Sequence, residues 1–182
     1  MSTELVLARD PALLPPALRG SISGVTFFAY LAVEAAQLDH IEPERVLAWL
    51  SIGAADFDKA GEVFSERVAE ALSDIEGFDA VYEDLLGQFV ELWSRPVEPL
   101  SSDAVAWIAY QRHALASAEP EQLAAKLGLT PGDELRLARR WRQRLTDPAV
   151  AAAALQAMDG PLPALPELTL PELSFPPGVS AS

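Results

Sequence analysis

Two histidines, His40 and His113, are the side chains of this chain best suited to proton transfer or metal binding. Neither has company that would make it reactive. No H-E-x-x-H or Glu-x-x-His spacing supplies further ligands, and without a single cysteine there is no thiolate zinc site, no sulfur nucleophile and no disulfide. Gly20-Ser21-Ile22-Ser23-Gly24 is followed by no lysine of the phosphate-loop kind and reads as the start of a helix; a G-x-S-x-G elbow is also missing. Carboxylate pairs such as Glu83-Asp84 are abundant, but nothing beside them in the sequence offers a metal ligand or a pKa-raising setting, so they read as a solvated face. The expectation is no catalytic residue, no cofactor and no metal. The chain reads as a binding protein.

Two stretches carry binding character. Between Asp133 and Asp147 the arginines Arg136, Arg139, Arg140, Arg142 and Arg144 crowd onto one short helix of an otherwise acidic protein. They pair with the acidic first unit or solvate the helix while their stems cover Trp141, or they form a basic patch for an acidic protein or phosphorylated ligand, with Arg136, Arg139, Arg140 and Arg142 as its members, nucleic acid being the reading that the surrounding negative field disfavours. The second stretch is the tail beyond Gly160, where Leu162, Leu165, Leu168, Leu170, Leu173 and Phe175 stand among closely spaced prolines. Proline excludes helix and favours extended geometry, and apolar side chains so placed are unfavourable in water. The tail therefore folds back on its own chain or docks on a partner through Leu165, Leu168, Leu170, Leu173 and Phe175.

The elements that position these residues are helical. Apolar residues recur at helical spacing in Phe57, Ala60, Phe64, Val68 and Ala71, and again in Ile75, Phe78, Tyr82, Leu85, Phe89 and Leu92. Pro43 and Pro120 suit first helical positions, Thr130 to Asp133 and Ser73 to Glu76 suit capping boxes, and Asp147-Pro148 is a further start signal. Shifted by about 77 residues, the chain also matches itself without a gap from Thr26–Val68 onto Asp103–Leu145. Tyr30 then meets Trp107, Glu42-Pro43-Glu44 meets Glu119-Pro120-Glu121, Asp56 meets Asp133 and Phe64 meets Trp141. The fold expected is all-α: an N-terminal arm at 1–21, helical units at 22–93 and 101–159, a proline-containing linker at 94–100, and an extended Pro/Leu-rich tail at 160–182. Helices are expected near 22–39, 43–51, 55–72 and 75–93, and near 102–117, 120–127, 132–146 and 148–158.

Charge narrows the partners. A formal net charge of −14 disfavours nucleic-acid backbones and anionic membranes, both of which require a basic field. About −11 of it falls before residue 97 and about −3 after, so the first unit is the acidic one. Residues 1–19 show no basic stretch followed by an apolar core, and the most apolar run, Val25 to Ala36, is short and contains Glu34, so neither a secretory signal nor a membrane span is expected. The cytoplasm is the expected location. Another protein is the expected partner, and apolar surface on both units leaves a homodimer open.

The run from Trp107-Ile108-Ala109-Tyr110 through Pro120-Glu121, Leu127-Gly128-Leu129 and Leu137 to Trp141-Arg142-Gln143-Arg144-Leu145-Thr146-Asp147-Pro148 resembles a short helical module of bacterial proteins from type VI secretion gene clusters. Its signature is W-x-x-R-L followed by D-P. Repeat one departs from it, with Phe64 for the tryptophan and Ser73-Asp74-Ile75 for the D-P step. The module often occurs in tandem and accompanies effectors or their loading factors, so the resemblance implies an adaptor or scaffold role without catalytic residues. The alternative is an acidic immunity or inhibitor protein that neutralises a basic toxin through the first unit.

Overall fold

The structure, a computed structural model, describes residues 14–177 and Val179; most of the expected N-terminal arm and the extreme C-terminus lie outside the described residues. Among the described residues it is predominantly helical, with eight α-helices and one two-stranded hairpin. Its contacts divide the chain into two units, Met1–Trp93 with Ser174–Ser182, and Ser94–Leu173.

In unit 1, β1 (Ser21–Ile22) and β2 (Val25–Thr26) pair antiparallel and lead into α1 (Phe27–Gln37), α2 (Pro43–Leu50), α3 (Ala54–Asp74) and α4 (Phe78–Val90). The hairpin occupies residues expected to be helical. Ser23 and Gly24, at φ of 50° and 82°, make the tight turn that brings the strands together, and both lie in the left-handed region a helix does not use. Helix α1 starts only after it, capped by the Thr26 hydroxyl, which accepts from the Ala29 N–H. Nine of its eleven residues are buried, as an all-round apolar helix must be, and α2, α3 and α4 pack around it. Phe64 from α3 stands against Phe27 and Tyr30 at ring separations of 5.4 and 5.6 Å, and Phe28 meets Phe89 of α4 at 6.2 Å.

The capping box expected at Ser73 and Glu76 does not form. Helix α3 runs on through Asp74, with the Ile75 N–H still donating to the Ala71 carbonyl, and α4 starts instead from Gly77 at φ 78°. A side chain inside a continuing helix cannot cap the next one.

Unit 2 holds α5 (Ala104–Ala116), α6 (Pro120–Lys126), α7 (Pro131–Arg144) and α8 (Pro148–Asp159). Asp103, Thr130 and Asp147 cap α5, α7 and α8, and Thr130 with Asp133 completes a reciprocal capping box. Pro120, Pro131 and Pro148 sit in the first helical turn, where their missing N–H costs nothing. The core stacks Trp107 on Trp141 at 6.4 Å and 8°, together with Leu100, Tyr110, Leu129 and Leu137. The starts of α1, α2 and α3 at 27, 43 and 54 recur in α5, α6 and α7 at 104, 120 and 131.

Candidate docking sites

Helices α1 and α3 frame an open cleft of about 630 Å³ in unit 1, lined by Tyr30 and Glu34 from α1 and by Phe57, Asp58, Gly61, Glu62 and Ser65 from α3. The spacing explains the lining. Tyr30 and Glu34 are one turn apart on α1, as are Phe57 with Gly61 and Asp58 with Glu62 on α3, so each helix offers one stripe to the cleft. Tyr30 and Phe57 lie with ring centres 6.2 Å apart, and Gly61 lines the cleft without a side chain.

The electrostatics of this cleft are one-sided. Burial pushes the Glu34 carboxyl above its usual range. Burial first, then the charges of Glu34 and Tyr82, push the Tyr30 phenol up to about 12, against a small opposing hydrogen bond with Ser65. Burial and Glu34 likewise raise Tyr82. Burial disfavours the charged form of each group, and a cation arriving beside Glu34 would oppose that effect.

Tyr30 makes an alkaline prediction. Its folded pKa is raised above the unfolded value near 10, so its contribution is fully present below pH 10 and is lost as the pH rises towards 12. Two units correspond to about 2.7 kcal/mol. Urea unfolding at pH 9 and pH 11.5 should show a steep loss for the wild type and a shallower one for Tyr30→Phe; equal slopes would remove Tyr30 from this account.

In the sequence Tyr30 stands out only as the partner of Trp107 in the internal match, and Glu34 only as an interruption of an apolar run. Tyr30 is buried at 7% exposure and still lines the cleft. The usable signal was that Glu34 is the one charged residue in α1.

In unit 2 the expected basic patch is divided. Arg136 is buried at 3% exposure and donates Nη2 to Asp133 Oδ1 at 2.7 Å, so it does not share a surface with the others. Asp133, wholly buried, also takes Arg95 from the other side, through Nη2 at 2.6 Å and Nε at 3.1 Å, and accepts the Thr130 N–H at 3.2 Å. Burial alone would raise this carboxyl, but the hydrogen bonds from Arg95, Arg136 and Thr130 and the Arg136 charge outweigh it and hold it below the ordinary carboxylate range. Arg139 and Arg140 are half-buried and Arg142 is exposed. Arg144 lies over the Trp141 ring at 4.5 Å and donates to the Ser101 carbonyl at 2.7 Å, while the Trp141 indole N–H donates to Leu100 O at 2.7 Å. The W-x-x-R-L and D-P residues thus have structural work in unit 2.

Beyond Asp159 no helix forms among the described residues. Leu165, Leu168 and Leu170 pack half-buried on the unit 2 core. Leu173 is also half-buried. Phe175 belongs to unit 1, its ring 6.5 Å from Trp93 and 4.6 Å beneath the Arg45 guanidinium. His113 reaches the Pro163 carbonyl through Nε2 at 2.8 Å, and His40 is exposed just past the end of α1 at φ 58°. Among the described residues no three His, Cys, Asp or Glu side chains converge as a metal site, and no helix is long and apolar enough to cross a membrane.

Compared with family models, curated proteins and solved structures, the chain matches none.

Proposed function

We propose that the chain is a non-enzymatic adaptor or scaffold component that docks a basic protein on the acidic cleft of unit 1. The observation carrying this reading is Glu34, a half-buried carboxylate that lines the cleft together with Tyr30 and Phe57, with the exposed Asp58 and Glu62 beside it. A lysine or arginine side chain entering there would bring a positive charge beside Glu34 and would meet the ring faces of Tyr30 and Phe57. Asp56, Glu66 and Glu70, exposed on α3, extend the same sign of charge and would steer such a partner. The recurrence of helix starts 77 residues apart supports a duplicated helical module followed by an extended Pro/Leu tail. The resemblance to type VI secretion modules extends the reading to effector loading in a bacterial cytoplasm.

The test is capture from the native host with the wild-type chain and with Glu34→Gln/Asp58→Asn/Glu62→Gln, followed by association kinetics at several salt concentrations. A basic partner should bind the wild type, with association slowed about ten-fold or more in the variant and steeply by salt. A partner that binds both forms equally, without salt dependence, would sink the reading. The exposed carboxylates of α3 also favour a second reading, an immunity or inhibitor protein against a basic toxin. It differs in one outcome, since the captured partner would then lose a toxic activity on binding.

A further inference from the structure

Helix α3 carries a glycine that its own chain does not explain. Gly61 lies well inside Ala54–Asp74, where alanine would make a more stable helix, and a Cβ built on it meets nothing within 4 Å. Its helical backbone is one that any residue adopts, and no neighbour presses on it. What the missing side chain does leave is a close approach to the α3 backbone from the cleft that Gly61 lines. Unit 2 supplies the comparison. Its helices α5 and α7 start 77 residues on from α1 and α3, and at the matching positions Gln111, Leu135, Ala138 and Arg139 stand for Glu34, Asp58, Gly61 and Glu62. A helix pair with this spacing is therefore built with a side chain at that point and without the carboxylates.

The groups around Gly61 say what could come so close. Phe57, one turn before it, is half-buried, and its ring lies 6.2 Å from that of Tyr30 with 24° between the planes, so the cleft has an aromatic wall. Glu34, on the other helix, adds a half-buried carboxylate. A flat, weakly hydrated cation suits this pairing better than a compact ammonium, which would have to shed firmly held water to lie against the rings. A guanidinium can lie on an aromatic face and still turn its edge N–H groups to a carboxylate. The molecule uses the same stacking within each unit, with Arg45 4.6 Å from the Phe175 ring centre and Arg144 4.5 Å from that of Trp141. At about 630 Å³ and open, the cleft also has room for the backbone that carries such a side chain.

We propose that the cleft of unit 1 is an arginine pocket, which takes one arginine side chain of the basic partner, laid on the Tyr30–Phe57 wall against Glu34 and passing over Gly61. The proposal rests on the cleft being the docking site for a basic protein, and adds the side chain that docks there.

The probes are the capped peptide acetyl-Gly-Ser-Arg-Ser-Gly-amide, its lysine counterpart and free arginine, each titrated into the isotope-labelled full chain while amide shifts are followed. The arginine peptide should shift the amides of Tyr30, Glu34, Gly61 and Glu62 and bind about five-fold or more tightly than the lysine peptide. Glu34→Gln should weaken it about ten-fold. Gly61→Ala should move two properties in opposite directions, raising the melting temperature by about 2 °C and weakening the arginine peptide about five-fold or more. A glycine that served the helix alone would give the first change without the second, and that result would overturn the proposal. Equal binding of the two peptides at the cleft would also overturn it, while leaving the docking of a basic protein in place. Shifts at the cleft with neither peptide would remove both. Free arginine binding as tightly as the peptide would give the cleft to a small molecule and likewise refute a side chain of a partner as its occupant.

Discussion

Asp133→Asn should destabilise unit 2 by about 3–5 kcal/mol, the cost of breaking a buried ion pair by removing one partner. Arg136 is itself buried, and Arg95 is drawn in to the same carboxylate, so the substitution strips two guanidinium groups of their counter-charge in one step. An asparagine of equal size preserves packing and isolates the charge. The counterpart Asp56 makes the control. It is exposed in the first turn of α3, where its charge acts only on the helix end, and Asp56→Asn should cost less than about 1 kcal/mol. Urea unfolding of both variants measures the contrast, and similar losses at the two positions would contradict it. Acid supplies a second readout. The folded pKa of Asp133 is depressed, so its contribution is present above the unfolded value near 4 and is lost as the pH falls through the folded one. Stability of the wild type should therefore fall below about pH 4 by more than that of Asp133→Asn.

Asp133 also shows which part of this molecule was legible beforehand. Its place in a capping box was readable, because a capping box closes within four residues and depends on Thr130 and Asp133 alone. Its second role was not, because Arg95 lies 38 residues away and only the fold brings it over. The same divide runs through the chain. Pro43, Pro120 and Asp147 announced helix starts because proline and an aspartate cap act locally. Ser73 offered an equally good local signal and failed, since packing of Ala71 and Val68 carried α3 past it. The hairpin at 21–26 is too short for alternation to be seen. In the tail, proline excluded helix from composition alone, while its contacts with Arg112, His113 and Gly128 depended on the fold. None of those three has a pattern in sequence that points at residues 160–170.

Phe64→Ala should cost unit 1 about 3–5 kcal/mol, the usual range for truncating a buried phenylalanine. Phe64 is fully buried at the meeting of α3 with α1, and its loss leaves a cavity under both Phe27 and Tyr30. The consequence reaches the candidate site. Tyr30 is held at the cleft wall by Phe64 on one side and Phe57 on the other, and its phenol is raised chiefly by burial. With one wall removed, water gains access to the ring and the phenol should titrate closer to its ordinary value near 10, visible as tyrosinate absorbance appearing at lower pH. Phe64→Leu, which refills most of the space, should recover much of the stability. It should also return the titration towards 12 only in so far as Tyr30 is buried again. A large stability loss with no change in Tyr30 titration would mean that α1 fixes the ring without help from α3. In that case the cleft would owe its aromatic wall to one helix, and partner binding should survive changes in the α3 core that leave Asp58 and Glu62 in place.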